Sequence, residues 1–251
     1  MAEGGWRRTL VIMVRRPVAG TVKTRLAQRI GTVEALRFYR VVTARLLREI
    51  GRDRRWRTVL AVTPDRARMD RCWPADMTRI PQGGGDLEVR LRRLFDTMPR
   101  GPVIVVGSDI PNIRAIDIAA AFGALGAHDA VLGPAEDGGY WLVGLKRQPA
   151  TPKAFGNVRW STGHALADTV RNLGAARIGY VRTHFDVDTR EDWMRWLRAV
   201  GTPMAKELRR DAIDLGHSWR FGALRASEPV ERRMATGVLA MGRTVGCRAP
   251  R

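Results

Sequence analysis

Short apolar runs alternate along this chain with longer stretches in which apolar residues recur at helical spacing. Thr9 to Val14 is a continuous β-rich run, as expected of a parallel strand covered on both faces. A loop with Pro17 and Gly20 follows it and precedes a helix. From Val33 to Ile50 the residues Ala35, Leu36, Tyr39, Val42, Leu46 and Leu47 fall near helical spacing, with Thr32 as N-cap and Gly51 as stop. Thr58 to Val62 is a second strand, and the stretch around Ile80 a short third, ending in the loop Gln82 to Asp86. Leu87 to Met98 reads as a helix, and Val103 to Val106 as the next buried strand. A helix from Ile116 to Leu125 is followed by strands at Asp129 to Leu132 and Tyr140 to Leu145. A helix from Thr162 to Leu173, a strand from Ile178 to Val181 and a helix from Glu191 to Val200 close the unit. Such alternation predicts an α/β fold with a mostly parallel sheet and helices on both faces.

After Gly201 the pattern weakens to one further helix, Lys206 to Leu215, and a frayed end from Arg243. The expected division is therefore one domain over 1–200 and a C-terminal helical extension, of unknown role, over 201–251. The run after Arg7 and Arg8 is too short for a secretory signal, and no stretch is long enough to span a bilayer.

At 45% hydrophobic and 27% charged residues the composition is that of a globular protein. The net charge of +19 would suit a phosphate-bearing partner. However, 40 of the 44 basic residues are Arg and they are scattered along the chain, which points to a compositional bias. With no nucleic-acid-binding module in sight, nucleic acid is not an expected partner. Cys72 and Cys247 form no CxxC pair, so neither a disulfide framework nor a zinc site is expected, and a reducing cytoplasm fits.

Ligands of open α/β sheets bind beyond the carboxyl ends of the strands, and four polar segments fall at such ends. In the first, Arg15 to Arg25, Gly20 lets the backbone approach a ligand, while Lys23 and Arg25 put two cations near a helix start, an arrangement that suits phosphate. A solvated basic turn is the alternative, and the GxxxxGK[ST] spacing is absent. In the second, Gly107-Ser108-Asp109-Ile110-Pro111, the carboxylate of Asp109 follows the most hydrophobic strand. It either holds Mg²⁺ or Mn²⁺ or caps the next helix. In the third, Gly133 to Trp141, the segment with Glu136, Asp137, Gly138, Gly139 and Tyr140 either is a hairpin turn or presents carboxylates to a sugar or acceptor hydroxyl. In the fourth, His184 to Asp192, Asp186 and Asp188 project to one side if extended and could complete a metal site with Asp109. Thr189 and Asp192 there resemble a capping box. Asp86, in the Gly-rich loop, either caps the following helix or contacts a ribose. Ser161, His164 and Asp168 share one segment but lack a nucleophile elbow.

Taken together, PVAGTVKTRL (17–26), QGGGDLEVRL (82–91), VGSDIP (106–111), LGPAEDGGYWLVGL (132–145), RWST (159–162) and FDVDTRED (185–192) resemble the DUF2064 transferases. These are also called the radical-SAM/selenodomain-associated transferase 1 family, of the GT-A (nucleotide-diphospho-sugar transferase) superfamily. The resemblance implies a Rossmann-like GT-A fold. It also implies nucleotide phosphates held by Lys23 and Arg25, a divalent metal on Asp109, and Asp186 with Asp188 completing the metal site. A more distant likeness extends to the nucleotidyltransferases of molybdenum and deazaflavin cofactor synthesis. Glu88 stands where the family has Gly, and residues after 200 lie beyond the resemblance.

The expected activity is metal-dependent transfer of a sugar from a nucleotide-diphospho-sugar to an unknown acceptor. The alternatives are nucleotidyl transfer from an NTP with pyrophosphate release, and a non-catalytic nucleotide-binding scaffold. Lys23, Arg25 and Asp137 are the candidate catalytic residues. Gly20, Lys23, Arg25, Asp86, Ser108, Asp109, Gly138, Gly139 and Tyr140 are the candidate binding residues, and Asp109, Asp186 and Asp188 the candidate ligands of Mg²⁺ or Mn²⁺.

Overall fold

A computed structural model describes residues 7–147 and 151–198. The expected extension over 201–251, with its helix from Lys206, lies outside them.

Seven strands form one sheet: β1 (Thr9–Arg15), β2 (Arg57–Thr63), β3 (Thr78–Pro81), β4 (Gly101–Gly107), β5 (Ala130–Pro134), β6 (Tyr140–Arg147) and β7 (Ile178–Tyr180). Their order is β3-β2-β1-β4-β6-β5-β7. All pairings are parallel except those of β6 with β4 and β5. Six of the seven strands therefore end at the same edge, in accord with the mostly parallel sheet expected.

Alternate residues of a strand face opposite sides, and here both sides are apolar. Leu10, Ile12 and Val14 of β1 enter one cluster with Leu60, Ile104 and Leu142. Helices α2 (Thr32–Glu49) and α4 (Ala115–Ala127) cover that cluster through Leu46, Leu47, Ile118 and Phe122. Val11 enters the other cluster with Val59, Val103, Val105 and Val143. That face is covered by Leu91, Leu94 and Phe95 of α3 (Leu87–Thr97) and Leu173 of α5 (Ala165–Leu173). Each fully buried Leu or Ile contributes roughly 1.5–3 kcal/mol, which is why the strands read as unbroken apolar runs.

One helix differs from expectation. A seven-residue α1 (Thr24–Ile30) precedes α2, and Gly31, at φ +89°, ends one and starts the other. Thr32 is thus the first residue of α2 and not its cap. A third apolar cluster lies on this helical pair. Leu26, Ala35, Phe38, Val41 and Val42 pack against Val187 and Trp196. Trp193 and Trp196 meet the Phe38 ring edge-on, at 5.3 and 5.1 Å between centroids. The chain is helical over 190–198; Thr189 and Asp192 form the capping box there, each backbone N–H donating to the other's side chain at 2.9 and 3.1 Å. None of the helices among the described residues is long and apolar enough to cross a membrane.

Candidate functional site

Strand order reverses between β1 and β4. The chain runs outward from β1 to β2 and β3, then returns to β4 on the other flank. A crevice opens where loops leave adjacent strands in opposite directions, so the loops after β1 and β4 face one another.

A single phenol ties these two loops from behind. Tyr39, buried on α2, accepts the Arg15 N–H (2.8 Å), donates to the Arg15 carbonyl (3.0 Å), and lies 3.1 Å from Ser108 Oγ. Burial raises the phenol's pKa. Thr43 adds a bond to the Ser108 carbonyl at 3.4 Å. Ser108 is consequently buried beneath the loop, its hydroxyl turned toward Tyr39. The next residue, Asp109, emerges at the surface; a Cβ on Gly107 would lie 3.1 Å from its Oδ1, so the glycine gives the carboxylate room at the strand end.

Lys23 meets Asp109 across the crevice. It stands just before α1 in the left-handed region (φ +46°, ψ +48°), a conformation costing a non-glycine residue roughly 1–2 kcal/mol. Its side chain is 3% exposed, and its ammonium lies 2.9 Å from Asp109 Oδ2 and 2.8 Å from Asp188 Oδ1. Burial works against the ammonium, but the two carboxylates outweigh it and raise its pKa. Burial likewise opposes the Asp109 carboxylate, and Lys23 more than offsets it, holding Asp109 below its ordinary value. Arg25 is 70% exposed and 3.9 Å from Asp188 Oδ2, so its head remains available to solvent.

Asp186 and Asp188 arrive on the segment between β7 and the last helix. Val187 between them is fully buried in the third apolar cluster. Residues on either side of a buried one in extended chain point the other way, and both aspartates turn into the crevice. Carboxylate oxygens of Asp109, Asp186 and Asp188 all lie within 4.8 Å of one another. Asp186 pays for this crowding: burial first, then the charge of Asp188, with smaller contributions from Asp109 and Asp137, push its pKa up to about 7. Lys23 partly opposes that rise. Three carboxylates facing one ammonium leave an excess of negative charge that a divalent cation would neutralise, and the all-oxygen donor set suits Mg²⁺ or Mn²⁺.

The β5–β6 hairpin loop lies near this cluster. Asp137 is exposed, and its Oδ1 accepts the Gly139 N–H at 2.9 Å. Gly138, at φ +82°, sits so close to the next loop that a Cβ would fall 2.3 Å from the Gly163 carbonyl oxygen. Its own carbonyl accepts the Leu166 N–H at 3.1 Å. The Tyr140 hydroxyl accepts from Thr169 at 3.3 Å, and burial raises its pKa.

Lys23, Asp109, Asp186 and Asp188 thus meet at one site, with Arg25 at its edge beside Asp188 and Asp137 close enough to act on it by charge. Gly20, at φ +78°, turns the first loop. Three predicted binding residues make other contacts. Ser108 faces the interior, the Tyr140 hydroxyl faces α5, and Asp86 caps α3 by accepting the Val89 N–H at 3.0 Å. The Gly-rich loop is held by arginines, with Arg93 donating to the carbonyls of Gln82 and Gly84 and Arg90 to that of Gly85. Glu88 turns to Arg92 at 2.7 Å and to the Asn157 N–H. Asp168 accepts both Nε and Nη2 of Arg159, so it is an ion-pair partner and not part of a hydrolytic set.

Two contributors went unread in the sequence. Tyr39 passes for a core residue, although a tyrosine on an apolar stripe needs a partner for its hydroxyl. Gln82 is buried and donates to the carbonyls of Val14 (3.1 Å) and Ala61 (2.8 Å), tying the ends of β1 and β2.

The fold and site define a doubly wound α/β protein with a carboxylate cluster at the carboxyl edge of its parallel strands. Residues 46–162 match the family DUF2064, described as an uncharacterized protein conserved in bacteria, which bears out the family resemblance. That span includes Asp109 and Asp137, whereas Lys23, Arg25, Asp186 and Asp188 lie outside it. No curated protein matches the chain. Among solved structures, a provisionally named nucleotide-diphospho-sugar transferase from Desulfovibrio desulfuricans G20 has a TM-score of 0.68 at 24% identity, over 86% of this chain and 99% of that one. The fold is therefore the expected GT-A type. Weaker likenesses are Rv0371c of Mycobacterium tuberculosis H37Rv in complex with manganese (TM-score 0.45, 18% identity, 77% of this chain and 100% of that one) and CMP:2-keto-3-deoxy-manno-octonic acid synthetase with CTP (0.48, 13%, 80% and 99%).

Proposed function

We propose that this chain is a metal-dependent transferase that takes a sugar from a nucleotide-diphospho-sugar. The observation that carries the reading is the meeting of Asp109, Asp186 and Asp188 at the switch-point edge of the sheet, with more negative charge than Lys23 alone can balance. These three aspartates would hold Mg²⁺ or Mn²⁺. A divalent ion there supplies positive charge to a bound diphosphate. Arg25, exposed beside the cluster, would contact the outer phosphate oxygens and offset charge on the leaving group. Lys23 orders Asp109 and Asp188 from beneath. Asp137, exposed on the hairpin loop, would accept a hydrogen bond from the acceptor hydroxyl and orient it.

Nucleotidyl transfer from an NTP is the competing chemistry. A paired basic loop would favour it, but Lys23 is engaged with two carboxylates, so of that pair Arg25 alone faces solvent. This supports the two-phosphate donor over the triphosphate.

A thermal-shift screen of NTPs and nucleotide-sugars with and without Mn²⁺ tests the reading. A ligand at 100 times its Kd stabilises by roughly 2.7 kcal/mol. Metal-dependent stabilisation by a nucleotide-sugar, lost in Asp109→Asn, is the expected result. Stabilisation by NTPs alone, with pyrophosphate released on turnover, would replace sugar transfer with nucleotidyl transfer. No shift with any nucleotide would remove both.

A further inference from the structure

The two halves of the carboxylate cluster come from segments far apart in the chain, and one buried contact links those segments away from the carboxylates themselves. Asp117 sits in the first turn of α4, downstream of Asp109. His184 stands two residues before Asp186. His184 Nε2 lies 3.3 Å from Asp117 Oδ2, and both side chains are 7% exposed. Asp117 Oδ2 also accepts the Arg114 N–H at 2.9 Å, so the same carboxylate fixes the start of α4.

His184 is held on every other side as well. Its backbone N–H donates to the Pro134 carbonyl at 3.1 Å, and its carbonyl accepts the Glu136 N–H at 3.2 Å. These bonds attach it to the loop that carries Asp137. Its ring meets Trp141 edge-on at 4.7 Å between centroids, and Trp141 Nε1 donates to the Arg182 carbonyl at 2.9 Å. Strand β6 and the start of α4 therefore meet the His184 ring, while the hairpin loop holds its backbone two residues before Asp186.

We propose that the His184–Asp117 contact is a positioning brace that sets the separation between Asp109 and the Asp186–Asp188 pair. This rests on the metal reading of the cluster. Neither residue touches the metal. A hydrogen bond directly behind a ligand is typically worth about 10–100-fold in metal affinity; the His184–Asp117 contact acts one step further out, through the backbone that carries the ligands, so the low end of that range is expected.

The test is Mn²⁺ titration of the full-length protein, reading the free-ion signal by electron paramagnetic resonance, alongside thermal unfolding. Asp109→Asn establishes that the wild-type signal reports this cluster. His184→Leu keeps apolar bulk but cannot donate, and should weaken Mn²⁺ binding about 10-fold. His184→Gln can still donate to Asp117 and should stay within about 3-fold of wild type if that hydrogen bond is what matters. Asp117→Ala cuts the contact from the other side and gives a second reading should His184→Leu not fold. The double variant should bind no more weakly than the worse single variant, because coupled partners are non-additive.

A lower melting temperature for His184→Leu with unchanged Mn²⁺ affinity below its midpoint would overturn the brace. Equal losses in His184→Leu and His184→Gln would overturn it too, by assigning the effect to ring packing. Wild-type protein that binds no Mn²⁺, or binds it equally after Asp109→Asn, would remove the metal reading and the brace together.

Discussion

Replacing Lys23 with Met keeps the length of the apolar stem and removes the charge, while leaving the left-handed backbone strain in place. At 2.8–2.9 Å and an effective dielectric near 20, each ion pair has a gross attraction of about 6 kcal/mol. Most of that is spent desolvating the ammonium. Removing one partner of a fully buried pair costs about 3–5 kcal/mol, but Asp109 and Asp188 are 41% and 33% exposed, and water screens what remains. A net loss of about 2 kcal/mol follows, or about 4–8 °C in melting temperature for a domain of this size. The loss should depend on metal. In EDTA, Lys23→Met leaves three carboxylates facing one another with no adjacent ammonium. With saturating Mn²⁺ the divalent charge takes over part of the work of Lys23, and the deficit should shrink by about half or more. Thermal unfolding followed by circular dichroism in the two buffers measures both numbers. A deficit under about 1 °C in EDTA would mean the ion pairs contribute nothing. An equal deficit in both buffers would mean that metal and lysine do not share carboxylates.

Other substitutions probe the frame around the site. Gly138→Ala combines a positive φ with a 2.3 Å approach to the Gly163 carbonyl; a loss of at least about 2 kcal/mol in urea unfolding is expected. Gln82→Leu removes two side-chain hydrogen bonds to the Val14 and Ala61 carbonyls, which the β1–β2 ladder also serves, and should cost about 1 kcal/mol by the same assay. Tyr39→Phe leaves Arg15 N–H and Ser108 without their shared partner and should cost a similar amount; an unchanged midpoint would show that water replaces the phenol. Asp168→Asn addresses pH: hydrogen bonds from Arg159 hold its carboxyl well below its ordinary 3.8. A depressed folded-state value gives stability that is present above pH 3.8 and lost as pH falls further. The variant should therefore be less stable than wild type at pH 7, and the gap in melting temperature should narrow steadily below pH 4.

Strands and long helices were legible because the sheet is buried on both faces. Leu10, Ile12 and Val14 go to one side and Val11 to the other, so every position must be apolar and the run is continuous. Of helix α1 only a start near Lys23 and Arg25 was legible; its separate extent was not, because seven residues carry too little periodicity and its boundary with α2 rests on the backbone of one glycine, Gly31. Asp86 and Asp109 illustrate the limit for polar residues. Both sit at a loop before a helix, and both had capping as the alternative reading. Asp86 caps, with Val89 as donor; Asp109 pairs with Lys23 and joins the other acids. Asp86 directly precedes α3 and caps it, whereas Asp109 lies six residues before α4, whose cap is Arg114, and the lysine that engages Asp109 comes from a loop 86 positions away.

Lys23 carries that point further. A lysine in a Gly-containing loop before a helix reads as a free cation waiting for phosphate, yet its side chain is 3% exposed and its Nζ is bonded to a residue 165 positions away. Two remote apolar contacts make this so. Val187 is fully buried against Leu26 and Phe38, and Trp193 and Trp196 close over Phe38 from the last helix. That packing draws the Asp186–Asp188 segment onto the helix that begins one residue after Lys23. The charges then follow, since a buried ammonium and a crowded carboxylate are each costly without the other. Weakening the packing with Trp196→Ala should accordingly loosen the ion pairs without touching a charged residue: Mn²⁺ affinity should fall together with stability. A variant that lost stability but kept its full Mn²⁺ affinity below its midpoint would show that the carboxylate cluster holds itself together and the apolar clamp is incidental.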